Sequence, residues 1–403
     1  MNTSPIERTP SESMTSRERV VRTLRRLPTD RIPIDLGSHM STGISAFAYW
    51  NLLEYLSYST RTAWVPDTVQ FLAMVEEDVR ARFHVDCVLL EPKWPNMVLW
   101  SPRGRYRFRI PEGMKPELNK HGDWLVRQGD QEMRMPRDGY FFDGAWLSNW
   151  GSGDEDTDIR IYAHEARRIF QETAYATNFL GYGRGRGFGA FFGGDTDMDR
   201  LIRMVTEPQA VIQENEIQCR EYIQRAGKII DAMGPYIQLL TISGDMGMQT
   251  GPLCRPSVIE QCVAPFIKEF CDFVHRNSDV KVFMHNCGSI KPLIPMLIEC
   301  GVDVLNPVQI SAKGMEPQDL KREFGDRIVF WGGGCDTQNI LGVKTQDEVA
   351  SHVRSLVRIF KAGGGYVFNQ VHNIMGNVPP ENIVAMFDAA YEESFFDGSE
   401  ENG

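Results

Sequence analysis

The chain has 403 residues, of which 42% are hydrophobic and 24% charged, a composition typical of a globular protein with a sizeable core. Its formal net charge of −11 argues against nucleic-acid binding, because a phosphate-binding surface needs clustered lysine and arginine side chains. No run of about 18 apolar residues occurs, and the polar N-terminus lacks the apolar core of a signal peptide. We therefore expect a cytoplasmic protein with neither a nucleic-acid nor a membrane partner.

Short apolar segments alternate with helical patterns along the whole chain. Near-continuous apolar strands are typical of a parallel sheet that is buried on both faces. Helical periodicity covers 255–277, and Thr345 followed by Glu348 predicts a capped helix start. Eight strand–helix units predict an α/β fold, a single (β/α)8 TIM barrel over residues 16–395. The predicted strands are 31–37, 85–91, 176–182, 236–243, 281–286, 301–308, 327–333 and 365–371.

The segment 92–160 interrupts this alternation. Its polar–apolar alternation and Gly-Asp turns predict short antiparallel hairpins, and we interpret it as a β-rich insertion after the second predicted strand. Outside the barrel domain, residues 1–15 are expected to form a disordered N-terminal tail and residues 396–403 a C-terminal tail.

Polar residues suited to metal binding or catalysis follow the predicted strands. The carboxyl ends of barrel strands converge on one face, where active sites are built. Three of the eight histidines and two of the eight cysteines occupy such positions. Asp35 and His39 belong to the end of the first strand, Asp245 to the fourth, and His285 and Cys287 to the fifth. Asn306 and Gln309 belong to the end of the sixth strand, Trp331 and Cys335 to the seventh, and His372 to the eighth.

The pair His285 and Cys287 indicates a zinc site. Zinc prefers imidazole and thiolate donors in a tetrahedral set, and a catalytic site leaves one position open to substrate. Cys335, His372 and Asp245 are further candidates, which gives five residues for three or four places. The alternative is that both cysteines are buried core residues and that the histidines are held by the main chain or act as acid–base groups.

Four stretches of the chain resemble the uroporphyrinogen decarboxylase (URO-D) superfamily and, within it, the cobalamin-dependent zinc methyltransferases. They are 29–49, 243–266, 284–338 and 366–390. The resemblance extends over about residues 16–395 and implies a (β/α)8 barrel. True uroporphyrinogen decarboxylases carry an Arg-Gln-Ala-Gly-Arg stretch after the first strand, whereas this chain reads Asp-Leu-Gly-Ser-His-Met-Ser-Thr-Gly at 35–43. The missing arginines argue against decarboxylation of uroporphyrinogen.

The methyltransferase resemblance implies roles for individual residues. His285 and Cys287 match the His-x-Cys zinc pair of that branch, and His372 stands where its members have a third ligand, a cysteine. Asp245 corresponds to an acidic residue after the fourth strand and is the expected catalytic residue, as a ligand, an orienting group or a general acid. Cys335 lies where such proteins usually have no ligand.

The implied reaction is O-demethylase-like transfer of a methyl group between a small methylated substrate, for example a methoxylated aromatic compound, and a corrinoid (cobalamin). The chain has no Asp-x-His-x-x-Gly corrinoid-binding stretch, so the corrinoid is expected on a partner protein. Dimers are common among such proteins, and a homodimer is a further expectation. The residues expected to bind substrate are Asp35, His39, Asn306, Gln309 and Trp331.

Two other functions remain open from the sequence. One is a metal-free decarboxylase, in which Asp35 or Asp245 would hold pyrrole-like nitrogens. The other is a non-catalytic barrel that serves as a subunit of a corrinoid complex.

Overall fold

The computed structural model describes residues 12–58, 61–94, 96–144, 154–181, 187–192 and 197–396. Most of the two predicted tails, 1–11 and 397–403, lies outside these ranges. The helices in this part of the chain are α1 (Ser16–Leu24), α2 (Ala46–Tyr55), α3 (Glu77–Arg82), α4 (Glu155–Glu172), α5 (Met198–Thr206), α6 (Pro208–Met233), α7 (Pro256–Cys262), α8 (Ala264–Asn277), α9 (Ile294–Glu299), α10 (Pro317–Phe324), α11 (Gln346–Lys361) and α12 (Pro380–Glu393).

The strands of the described ranges are short, with two to five residues each. They are β1 (Ala63–Trp64), β2 (Cys87–Leu89), β3 (Met97–Trp100), β4 (Phe108–Pro111), β5 (Glu117–Leu118), β6 (Trp124–Gln128), β7 (Gln131–Met135), β8 (Ala176–Phe179), β9 (Phe188–Gly189), β10 (Leu239–Ser243), β11 (Lys281–His285), β12 (Val304–Asn306), β13 (Val329–Trp331) and β14 (Tyr366–Val367).

The main sheet is parallel throughout and follows the order of the chain. Its strands lie in the order β2, β8, β10, β11, β12, β13 and β14, and β9 pairs with β10 beyond the end of β8. Helices separate successive strands, as right-handed β–α–β crossovers require. The α/β fold with a curled parallel sheet is therefore confirmed, and seven of the eight predicted strands appear as strands of this sheet.

The first predicted strand joins the two edges of the sheet. Ile34 forms a parallel bridge with Phe368, directly after β14, and the Phe368 amide donates to the Pro33 carbonyl over 2.8 Å. On the other side, the Asp86 amide, directly before β2, donates to the Ile34 carbonyl over 2.7 Å. The segment around Ile34 thus closes the sheet on itself, as a (β/α)8 barrel requires.

Helix α1 covers the amino-terminal end of the barrel. Val20 and Leu24 on this helix belong to the apolar cluster that fills the interior of the sheet. The cluster includes the first residues of β2, β8 and β10, which places the helix at the end where these strands begin. A site inside the barrel must therefore open at the opposite end. The other members of the cluster are Cys87, Ala176, Leu239, Phe283, Val304, Val329, Trp331 and Val367.

The segment between β2 and α4 contributes most of the strands of two small sheets, which are separate from the main sheet. Strands β3 and β4 are antiparallel, β1 pairs with β4, and β5, β6 and β7 form an antiparallel meander. The predicted hairpins are thus present outside the main sheet, while the interpretation of 92–160 as an insertion remains a prediction.

Two local sequence signals have different outcomes. The predicted cap at Thr345 is confirmed, because its side chain accepts from the Glu348 amide and the Glu348 side chain accepts from the Thr345 amide. The helical pattern over 255–277 is divided into α7 and α8 at Val263, whose dihedral angles leave the helical region. Within the described ranges, no helix has both the length and the apolar character needed to span a bilayer.

A buried ionic network links α1 to the barrel. Arg19 contacts Asp30 over 2.7 Å and Asp86 over 2.6 Å, and Arg31 contacts Asp86 over 2.7 Å. Burial alone would raise the pKa of Asp30, but hydrogen bonds from Arg19 and from the Met14 amide lower it to about 2. Residues at the end of the predicted N-terminal tail are thus held against the barrel.

We expect Arg19→Met to destabilise the protein by about 3–5 kcal/mol, because it leaves buried carboxylates without their partner. The matched control is Arg322→Met, which removes an ion pair to Asp319 at a side chain that is 66% exposed and should change the stability far less. Chemical denaturation of both variants measures the difference. Equal stabilities of the two variants would contradict a structural role for the network.

Candidate metal centre

Three potential ligands meet at the carboxyl end of the barrel. His285 is the last residue of β11, Cys287 lies two residues further, and His372 follows β14. One donor atom from each lies within 4.8 Å of the other two, and His285 Nε2 is 3.6 Å from Cys287 Sγ. A tetrahedral zinc ion with bonds of about 2.0–2.3 Å separates its ligand atoms by roughly 3.3–3.8 Å. The two imidazoles and the thiol therefore fit such an ion in chemistry, and the distance between His285 Nε2 and Cys287 Sγ falls within this range.

Asp245 lies beside this cluster, on the loop after β10. Its Oδ1 is 3.7 Å from His285 Nε2 and accepts a hydrogen bond of 2.8 Å from the Cys287 amide. The carboxylate therefore positions the Cys287 main chain. Because its side chain is 35% exposed, it can also meet a ligand.

Close main-chain packing holds the two loops together. Gly288 has a φ of 91°, and a Cβ there would overlap the carbonyl carbon of Gly247. A Cβ on Gly247 would lie 2.7 Å from the Cys287 carbonyl oxygen. The Ser289 amide donates to the Met248 carbonyl over 2.7 Å. Only glycine at both positions allows the loop with Asp245 to approach the loop with Cys287 so closely.

The hydrogen bonds of His285 direct its free nitrogen toward the cluster. Its Nδ1 lies 3.1 Å from Asn306 Oδ1, and the Asn306 amide is oriented by its Nδ2, which donates to the Trp331 carbonyl over 3.0 Å. Since an amide oxygen only accepts, Nδ1 carries the hydrogen and Nε2 presents its lone pair to Cys287. Burial, which outweighs the influence of Asp245, lowers the pKa of His285 and favours the neutral form that binds metals.

His372 completes the cluster from an unusual backbone conformation. Its φ of 59° is in the left-handed region, which is uncommon for residues other than glycine. The preceding Val371 is held on both sides, because its amide donates to the Cys335 carbonyl and its carbonyl accepts from the Thr337 hydroxyl. Burial and the neighbouring His285 lower the pKa of His372 to about 4, so this imidazole is also neutral near pH 7.

Cys335 lies outside the cluster, in contrast to its place among the predicted ligands. The side chain is fully buried, and its thiol contacts the Asp336 carbonyl at 3.9 Å. Burial raises the pKa of this thiol far above its usual value, which disfavours the thiolate. The structure thus separates Cys335, a further ligand candidate from the sequence, from Cys287, which belongs to the predicted zinc pair.

Two predicted substrate-binding residues lie in the interior of the barrel instead. Trp331 belongs to the apolar cluster inside the sheet, and its Nε1 donates to Asp35 Oδ2 over 2.8 Å. Asp35 also accepts from the amide and hydroxyl of Ser38, and burial raises its pKa to about 6 despite these bonds. Both side chains are fully buried and contact each other inside the barrel.

Two other predicted substrate-binding residues, Asn306 and Gln309, form hydrogen bonds with a candidate ligand or with the loop that carries one. Asn306 bonds His285 as described, and Gln309 Oε1 accepts from the Gly288 amide over 2.8 Å. Ser41, which the sequence did not single out, donates from its hydroxyl to Asn306 Oδ1 over 2.5 Å. Its only sequence signal is its place in the mostly polar stretch 38–42, which any loop could carry.

His39 stacks directly on the cluster. Its ring is 5.1 Å from the His285 ring at an interplanar angle of 29°, and it also packs against Phe283. Burial, followed by the neighbouring His285 and His372, lowers the pKa of His39 well below its ordinary value. His39 is among the residues that line a cavity of about 630 Å³, which also extends between α3 and α4. Met40, Leu72 and Met74 contribute apolar surface to this cavity.

Fold and site together define an α/β barrel protein with a candidate thiolate–imidazole metal centre at the carboxyl ends of its strands. Residues 194–393 match the family model described as Uroporphyrinogen decarboxylase (URO-D). A methyltransferase from Methanosarcina mazei has a similar structure, with a TM-score of 0.54 and 15% identity, over 94% of this chain and 99% of that one. The family match covers slightly less than half of the chain, and at 15% identity the structural likeness concerns the fold alone.

Other matches are weaker. Two structures of a glycoside hydrolase family 5 enzyme from Prevotella bryantii have TM-scores of 0.35 and 0.36, with 11% and 13% identity, over 61% of this chain and 80% of the other. Similarity at this level carries no information about function. A search of curated proteins gave no significant match.

We expect the purified protein to bind about one zinc ion per chain and Cys287→Ser to bind much less, because the variant loses the thiolate donor. Cys335→Ala is the matched control and should keep its zinc, since that thiol lies outside the cluster. Metal analysis after dialysis measures all three proteins. Equal zinc loss in the two variants would contradict the three-residue cluster.

We expect Gly288→Ala to destabilise the protein by at least about 3 kcal/mol and to weaken metal binding, because the added Cβ overlaps main-chain atoms that cannot move aside. The matched control is Gly314→Ala. Gly314 also has a positive φ, of 76°, but open space around its Cβ position, so only about 1–2 kcal/mol of backbone strain is expected. Similar costs at the two positions would rule out the close packing of the two loops.

Proposed function

We propose that the protein is a zinc-dependent methyltransferase. It moves a methyl group between a small methylated substrate, such as a methoxylated aromatic compound, and the corrinoid of a partner protein. The observation that carries this proposal is the meeting of His285, Cys287 and His372, whose donor atoms lie within 4.8 Å of one another at the open end of the barrel. This donor set suits a catalytic zinc site with one open position.

Each ligand has a part in preparing the site. His285 and His372 are neutral imidazoles, and Asn306 holds the His285 ring with its Nε2 toward the centre. Cys287 supplies a thiolate that moderates the charge of the metal. Zinc bound there supplies a Lewis acid for the heteroatom that carries the methyl group. The fourth position remains for that heteroatom.

Asp245 is the proposed catalytic carboxylate. It holds the Cys287 main chain through one oxygen, and its partial exposure lets the side chain reach a bound substrate. In this position it can orient the thiolate ligand and donate a hydrogen bond or proton to the departing heteroatom when it is itself protonated.

The corrinoid partner is a further part of the proposal. The chain has no Asp-x-His-x-x-Gly stretch of its own, and the candidate metal centre lies where the barrel is open. A partner that carries the corrinoid would dock at this face and bring its cobalt to the methyl carbon. A cytoplasmic location is consistent with this chemistry, because Cys287 must remain reduced, and each of the eight cysteines is a free thiol.

We expect the zinc-loaded protein to convert 2-methoxyphenol to catechol in the presence of free cobalamin reduced to Co(I), with a matching change in the cobalamin absorption spectrum. Cys287→Ser should lower the rate by about a hundredfold or more, because it weakens the metal site. Cys335→Ala serves as the control with near-normal rate. Zinc-independent activity of Cys287→Ser would overturn the proposal, and decarboxylation of a porphyrinogen acid by the metal-free protein would favour the decarboxylase alternative.

A further inference from the structure

The large cavity connects the carboxyl ends of the barrel strands with the space between α3 and α4. Ser243 at the end of β10 and Leu89 at the end of β2 line it at the barrel, whereas Glu77 of α3 and Arg168 of α4 line it further out. Its volume of about 630 Å³ suits a small organic ligand. Such sites combine apolar walls with a few polar groups that orient the ligand, so the polar groups left free by the protein decide what binds.

Four hydroxyl-bearing side chains of the described ranges line the cavity, and three of them already donate to the protein. The three donors are Tyr162, Thr173 and Tyr175, and their acceptors are Glu91, the Ile169 carbonyl and Glu77. Ser243 is the fourth. It is half-buried, and its hydroxyl forms no hydrogen bond to any described residue. This hydroxyl, which can both donate and accept, is therefore available to a ligand.

The side chain of Ser243 lies next to the candidate ligand His285. Along β10, Leu239 belongs to the apolar cluster inside the sheet, whereas Leu240 and Ile242 pack in the core outside it. Because side chains alternate along a strand, Ser243 faces the interior as Leu239 does. Ser243 and His285 are paired in the parallel register of β10 and β11. The hydroxyl is thus at the end of the cavity that lies beside the candidate metal centre.

The main chain around Ser243 is held in place on both sides. The Ser243 carbonyl accepts from the Ala190 amide over 2.9 Å, and the Gly244 amide donates to the His285 carbonyl over 3.1 Å. A Cβ on Gly244 would lie 3.0 Å from the Ala190 Cβ, which shows how closely the two segments pack. A group carried by such a fixed strand end is oriented more precisely than one on a loop.

We propose that Ser243 determines substrate specificity by forming a hydrogen bond with a polar group next to the methylated heteroatom. The inference rests on the proposed methyltransferase function and names the methyl donors that the site prefers. Because Ser243 neighbours the ligand His285, a substrate whose heteroatom faces the metal centre brings its next atoms to this hydroxyl. The hydroxyl group of 2-methoxyphenol can pair with Ser243, whereas the hydrogen at the same place in methoxybenzene cannot.

The preference follows from the cost of leaving a hydroxyl unpaired. A ligand that fills the cavity removes water from Ser243, and the lost hydrogen bonds are replaced only if the ligand offers a polar group at this place. A site that hydrogen bonds a substrate hydroxyl therefore discriminates against the analogue that lacks it. A neutral hydrogen bond of this kind changes the binding constant about three- to tenfold.

Binding to the zinc-loaded protein can be measured by NMR titration without a corrinoid. We expect 2-methoxyphenol to bind about three- to tenfold more tightly than methoxybenzene, and Ser243→Ala to remove this preference by weakening the binding of 2-methoxyphenol alone. Ser243→Thr keeps the hydroxyl and should keep the preference. So should the control Thr173→Val, because that hydroxyl is already engaged by the Ile169 carbonyl. An unchanged preference in Ser243→Ala would overturn the proposal.

Turnover with cobalamin in the Co(I) state separates a role in binding from a structural one. We expect Ser243→Ala to raise KM for 2-methoxyphenol about three- to tenfold with kcat nearly unchanged, because the lost hydrogen bond is present before and during methyl transfer. KM for methoxybenzene should stay the same. Zinc content and thermal melting show that the variant is folded with its metal site intact. Equal losses with both substrates would indicate a structural effect and contradict the specificity role.

The outcomes distinguish this inference from the proposed function. If the wild-type protein converts 2-methoxyphenol to catechol and Ser243→Ala keeps the wild-type preference, the methyltransferase function stands and the role of Ser243 is wrong. If the wild-type protein binds no zinc and transfers a methyl group from neither compound, the proposed function fails, and the inference that rests on it fails as well.

Discussion

Closure of the barrel by the segment around Ile34 is the constraint on which the site depends. This segment pairs with the residue after β14 on one side and with the residue before β2 on the other. The residues that follow this segment therefore enter the open end of the barrel between β14 and β2. The loop with His39 and Ser41 is brought against β11 and β12 in this way, although some 265 residues separate Ser41 from Asn306 along the chain. Without this closure of the barrel, the hydrogen bonds from Ser41 to Asn306 and from His285 to Asn306 could not form together.

The residues around the metal centre divide into ligands and supports. Asn306, Gln309 and Ser41 are polar and lie next to the centre. Asn306 bonds His285, Ser41 donates to Asn306, and Gln309 accepts from the Gly288 amide. Such supports are a normal part of metal sites, because an imidazole or thiolate binds well only when its orientation is held. Asn306 and Gln309, which the sequence associated with the substrate, thus contribute to the precision of the centre.

Burial has opposite consequences for the histidines and the cysteines. It lowers the pKa values of His39, His285 and His372, so that three neighbouring imidazoles are neutral and do not repel one another. It raises the pKa of Cys335, whose thiol stays protonated in the core. Cys287 is only partly buried and lies beside two neutral imidazoles. The same low-polarity environment therefore prepares the imidazoles for a metal and leaves one of the two candidate cysteines inert.

The sequence alone determined the strands, their parallel order and the end of the barrel at which the chemistry lies, because buried parallel strands are marked by continuous apolar runs and polar residues follow them directly. It also placed His285, Cys287 and His372 among the ligand candidates. The choice between Cys287 and Cys335, and the burial of Asp35 with Trp331, depended on the tertiary structure. The roles of Ser41 and Asn306 depended on it as well. Spacing along one strand shows which residues reach its end, but sheet curvature, glycine-to-glycine loop contacts and burial decide which side chains from different strands meet.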